Sequence, residues 1–168
     1  MHLRHYARTM SAYNRWMNER LYAVCASLSP ALRRQDLGAF FKSIHGTLNH
    51  LVIADRIWLG RFVGPACQVS SLDEDRWPDF EDLHRERAAA DEAIEHWATS
   101  LGDEADDADL VYRSIVNPQE HRMPLRLAVV HFFNHQTHHR GQLTTLLKQQ
   151  GVDPGVTDLL WMPGVSGV

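Results

Sequence analysis

Four stretches of this chain repeat apolar residues at the 3.6-residue interval of an α-helix, and between them they take up most of its 168 residues. The first covers residues 3–28, with Leu3, Ala7, Met10, Asn14, Met17, Leu21, Val24 and Leu28 on one stripe, and Ser29-Pro30 stops it. The second runs from about 40 to 63 on Phe40, Ile44, Leu48, Leu51, Trp58 and Phe62, and Gly64-Pro65 ends it. A polar connection over 64–78 leads to Asp79, suited to cap a third helix over 80–100 that carries Leu83, Ala90, Ile94, Trp97 and Leu101. Gly102 closes that helix and an acidic loop follows. Pro124 fits the first turn of a fourth helix, 124–150, ended by Gly151.

Amphipathic helices must bury their stripes against one another, so the chain reads as all-α: an up-down four-helix bundle with one long crossover. The period changes over residues 110–123. There Leu110–Val116, the turn-forming Asn117-Pro118 and a short second run predict a small hairpin or extended segment before the last helix. The tail from Gly151 to Trp161 reads as a loop and one helical turn folding back on the body. With no internal repeat or low-complexity segment, residues 1–168 read as a single domain.

Charge and composition narrow the function classes. The net charge is −4 and the basic residues are spread along the chain, which gives no basic face for nucleic acid. No apolar run approaches the roughly 20 residues of a membrane span, and the N-terminus lacks the apolar stretch of a secretory signal. Cys25 and Cys67, with no CxxC spacing, read as inert free thiols in a reducing compartment, so the expected location is the cytoplasm.

Four histidines crowd the fourth helix within nine residues. His131, His135 and His139 recur every four residues and stack along one face, while His138 points to the side. The apolar stripe of this helix contains Leu125, Ala128, Phe132, Leu143 and Leu146; by period, His135 and His139 lie in its middle and His131 and His138 at its edge. Two core imidazoles need partners, because an unpaired buried polar group costs about 1–3 kcal/mol. They could bond to each other, or share a metal ion, since HxxxH is the helical spacing that lets two rings reach one ion.

A third ligand must come from another helix. The second helix offers His45 and His50 near opposite borders of its stripe, and spacing alone does not choose between them. In the first helix Asn14 sits at the centre of the stripe, with Asn18 one turn on. Core asparagines must be hydrogen-bonded. They could orient a ligand or substrate, or cap a neighbouring backbone, the reading preferred for Asn18. Other metal and catalytic patterns fail. HxxEH and HExxH need a glutamate absent from the histidine run, and Glu81-x-x-His84 is a lone pair facing away from its stripe. Glu92, Glu95 and His96 read as a solvated helix face.

Asn49-His50-Leu51 with Ala54–Leu59, and Asn134–Gln142, resemble motifs of the DinB family. The opening Tyr13–Asn18 and the closing Gly151–Pro154 with Thr157-Asp158 fit the same family, so the resemblance spans nearly the whole chain. It implies a four-helix bundle holding a divalent metal on one histidine of the second helix and both histidines of HxxxH. Carried over by position, these are His50, His135 and His139. His131, His138 and His45 fall outside that ligand set, and their roles stay open.

Three imidazoles with a further coordination position open is the arrangement of a catalytic rather than a structural site. An ion held so can lower the pKa of water, polarise an oxygen or bind a thiolate. The resemblance implies a metal-dependent enzyme that transfers or isomerises through a low-molecular-weight thiol, with Zn²⁺ or Ni²⁺ expected and Fe, Mn and Cu compatible with imidazole ligands. Asn14, Asp55 and Gln142 are candidates for orienting a ligand or substrate. The alternative is a non-catalytic metal-binding protein for sensing, buffering or stress-response interaction, and whether the site is catalytic stays open. A small-molecule substrate and a homodimer are the expected partners, with no nucleic acid or membrane.

Overall fold

A computed structural model describes residues 1–64, 69–113 and 119–165. Cys67, Pro65 and the Asn117-Pro118 turn lie outside the described residues. The helices are α1 (Leu3–Ala26), α2 (Pro30–Arg34), α3 (Ile44–Val63), α4 (Phe80–Ser100) and α5 (Leu125–Gln149). β1 (Asp109–Arg113) and β2 (Glu120–Pro124) precede α5. The four long helices form a ring in which α1 packs on α4, α4 on α3, α3 on α5 and α5 on α1. This is the all-α bundle the apolar periods imply.

The caps explain most of the boundaries. The Asp79 carboxylate accepts from the Glu81 and Asp82 amides at the start of α4. Gly64 and Gly151, both at positive φ, follow α3 and α5. α1 ends at Ala26, two residues short of the expected 28, and Ser29-Pro30 begins α2: the Ser29 side chain accepts from the Leu32 amide and Pro30 takes the first helical position. Phe40 is a correction. It lies before α3 rather than on its stripe and is 85% exposed, because α3 starts only where Ser43 caps it.

Between α4 and α5 the period change resolves as the hairpin. β1 and β2 pair antiparallel with Leu110 opposite Met123 and Tyr112 opposite His121. Alternation turns Leu110 and Tyr112 inwards, and Tyr112 reaches Trp58 of α3 at a ring separation of 5.7 Å. The tail folds back: the Tyr13 hydroxyl donates to the Thr157 carbonyl at 2.5 Å, and Met162 is buried in the core. No helix of the described residues is long and apolar enough to cross a membrane.

The core divides into two apolar clusters. One gathers Met17, Leu21, Ile44, Leu48, Leu83, Leu143 and Leu147; the other gathers Leu3, Ala7, Ile94, Trp97, Val129, Phe132 and Phe133. Between them runs a layer of buried polar side chains. On α4, Arg87 and Asp91 fall between Leu83 and Ile94; on α5, Gln136 and Arg140 fall between Phe133 and Leu143. The candidate site lies at the edge of this layer.

Candidate metal centre

His50 of α3 and His135 and His139 of α5 bring one ring nitrogen each to a common point, all within 4.8 Å of one another. The His135 Nε2 stands 3.3 Å from His50 Nε2 and 3.1 Å from His139 Nε2. Nitrogens placed 2.0–2.1 Å from a tetrahedral ion are about 3.3 Å apart, so the spacing matches that of ligands sharing one cation.

Neighbouring groups set which nitrogen faces inwards. The Leu72 carbonyl, 2.9 Å from His50 Nδ1, can only accept, so Nδ1 carries the proton and the Nε2 lone pair is left for the cluster. His139 Nδ1 meets Gln142 Oε1 at 2.8 Å, and the other end of that amide donates to His138 Nε2 at 3.1 Å. Gln142 therefore fixes the His139 ring in the same sense, as a carbonyl or carboxylate does for ligating imidazoles. Phe41 stacks on His50 at 3.7 Å and meets the His139 ring edge-on at 5.5 Å, so two of the rings are clamped.

Burial keeps the rings neutral. It pushes the His50 pKa down to about 4 and that of His135 to about 3, the other histidines of the cluster adding to the shift. The same desolvation lowers His139. At neutral pH all three offer lone pairs and none a positive charge. The fixed tautomers of His50 and His139 leave their Nε2 lone pairs turned to the centre, where a cation would accept both.

The structure also corrects the reading of α5. His139 is buried, but His135 is only half-buried and sits at the border of the inner face. The centre of that face belongs to Gln136 and Arg140, both buried. Asn18 caps no backbone: its amide donates to the Asp91 carboxylate at 2.9 Å, and Asn14 does the same at 3.0 Å. Arg140 donates to the Asn14 side-chain oxygen. Arg87 pairs with Asp55 at 2.6 Å and with Asp91 at 2.9 Å, and Gln136 donates to Asp55 at 2.8 Å. Two arginines and two aspartates thus neutralise each other in the core. Burial still drives the Asp91 carboxyl upwards against the pull of Arg87.

Of the proposed orienting residues, Gln142 touches the cluster directly, whereas Asp55 and Asn14 act through this network. Gln136, Arg140, Arg87 and Asp91 were missed by sequence reasoning. Their signal was available: Asn14 at the centre of an apolar stripe requires polar partners at the same height on facing helices.

His45 is buried but engaged elsewhere, its Nε2 lying 2.9 Å from the Trp77 carbonyl and 3.0 Å from Arg34. His131 is outside the cluster, packed 4.9 Å from Trp58 on the wall of an adjoining cavity. A wider groove beside Arg15, Leu59, Glu92, Glu95 and His96 carries none of the three histidines, and Arg15 and Glu95 pair there at 2.8 Å.

This fold and this cluster can be set beside known proteins. The DinB family matches residues 1–165. The chain belongs to the DinB family. Among relatives of this DinB-family chain, Protein DinB of Bacillus subtilis (strain 168) is 25% identical over 162 residues, covering 91% of each chain. The crystal structure of a DinB-like protein from Bacillus cereus ATCC 10987 superposes with a TM-score of 0.57 at 17% identity. That match covers 89% of this chain and 91% of the other, and it shows the shared DinB-like fold.

Proposed function

We propose that this DinB-family protein is a metal-dependent enzyme acting on a small thiol, with His50, His135 and His139 as the ligands of a Zn²⁺ or Ni²⁺ ion. The observation that carries the reading is the convergence of three neutral imidazoles, two of them held by fixed tautomers, with His50 and His135 on the wall of a cavity. When bound there, a divalent ion supplies a Lewis acid whose charge no acidic ligand offsets, and this favours a thiolate over a thiol.

The protein residues have separable roles. The three imidazoles hold the ion, while Leu72 and Gln142 keep the His50 and His139 rings turned inwards. Phe41 shuts water out from one side by covering His50. On the other side Ala54, Ile57 and Trp58 line the cavity that a substrate would occupy beside His50 and His135. A purely structural site is closed by a fourth protein ligand. Among the described residues the cluster contains three.

Turnover is the test. Metal-loaded protein mixed with a small thiol and an electrophile should consume both, and His139→Ala should lose the metal and the activity together. A variant that loses metal while turnover persists contradicts the proposal.

A further inference from the structure

We propose that Arg61 makes the cavity beside the three histidines a receptor for a carboxylate, so that the substrate is a small acid held by its carboxylate at Arg61 and by its reacting end at the histidine cluster. The inference deepens the metal-site reading above and rests on it.

The cavity measures about 140 Å³ and is lined by His50, Ala54, Ile57, Trp58, Arg61, Leu72, His131 and His135. It joins two of the three cluster histidines directly to the Arg61 guanidinium. No acid is among its lining residues. The Arg61 guanidinium lies 4.3 Å from the Trp58 ring centroid and 4.4 Å from that of Tyr112, in the corner formed by two rings that themselves meet at 5.7 Å. The two rings hold the guanidinium beside the cavity by cation–π contact. Among the described residues Arg61 makes no hydrogen bond or ion pair. A half-buried guanidinium without an anion is costly, and burial accordingly pulls its pKa below the ordinary value.

Charge and size choose the anion. Arg61 is the one arginine or lysine lining the cavity. One guanidinium matches a singly charged carboxylate in a bidentate fork, whereas a phosphate dianion calls for further donors. Tyr112 reaches Arg61 from β1, so the strand pair supplies the second ring against the guanidinium.

Three thiols of similar length separate the anion receptor from the metal site. The cobalt-substituted protein is titrated with 3-mercaptopropionate, 2-mercaptoethanol and 2-mercaptoethylamine, following thiolate-to-cobalt absorption. The expected result is saturation by 3-mercaptopropionate at about a tenfold lower concentration than by 2-mercaptoethanol, with the amine weakest. Arg61→Gln should erase the preference and leave the 2-mercaptoethanol curve in place, and Arg61→Lys should retain part of it. Equal curves in the unaltered protein, or a preference that survives Arg61→Gln, overturn the carboxylate receptor. Failure of every thiol to alter the cobalt spectrum instead contradicts the thiol reading. In that case propionate added to metal-free protein still decides the receptor: Trp58 and Tyr112 ring resonances should shift in the unaltered protein and not in Arg61→Gln, and an absence of shifts overturns it.

Discussion

The Asp55 carboxylate accepts a hydrogen bond from the Gln136 amide at 2.8 Å, with both side chains at most 1% exposed. That bond ties the turn of α5 between His135 and His139 to α3, about a turn and a half beyond His50. Two helices must hold three ring nitrogens in register, and this bond sets their relative height. Gln136→Leu should therefore leave Asp55 one donor short. The expected cost is about 1–3 kcal/mol of stability, read from urea unfolding, with weaker metal retention although no ligand is changed.

Arg87 is the hub of the same layer, paired with both Asp55 and Asp91 at 3% exposure or less. Arg87→Met leaves two buried carboxylates without the cation that pairs with both. A loss of about 3–5 kcal/mol is expected from denaturant unfolding. Combining it with Asp91→Asn should recover much of that loss, because one buried charge of each sign is removed while Asp55 and Arg140 still balance.

Gln142 holds the His139 ring without itself belonging to the cluster. Gln142→Ala is expected to weaken metal affinity about 10- to 100-fold while the fold persists, measured by competition with a chromophoric chelator. His138→Ala removes only the far partner of that amide and should cost less.

Cys25 is fully buried in α1, and burial pushes its thiol up to about 12. A raised thiol pKa means the reactive thiolate is scarce at pH 8, and the packing blocks access as well. Iodoacetamide at that pH should leave the Cys25 peptide unmodified in the native protein and label it in urea, as followed by peptide mass mapping.

The long helices were legible because each presents one apolar stripe, and Asp79 and Gly151 mark their ends with side-chain and backbone chemistry that acts locally. The HxxxH pair was legible as a spacing, although the period set His135 deeper in the stripe than it lies. The choice between His45 and His50 was not, since α3 is buried without a break from Thr47 to Asp55, and both histidines are covered. A helix packed against neighbours on several sides has no face for periodicity to report. Gln136 and Arg140 were hidden in another way. A polar residue near an apolar stripe reads as solvent-facing unless its buried partners are known, and these come from α1 and α3. The carboxylate receptor was likewise out of reach, because Trp58 and Arg61 meet Tyr112 only once the hairpin docks on α3.

The central claim is that His50, some 85 residues distant in sequence, completes a metal site with His135 and His139. Elemental analysis of tag-free protein, purified without chelator and compared with His50→Ala, tests it most directly. One divalent ion per chain is expected in the unaltered protein and almost none in the variant, with both folded by circular dichroism. An unaltered protein without stoichiometric metal, or a His50→Ala variant that keeps a full equivalent, would contradict it.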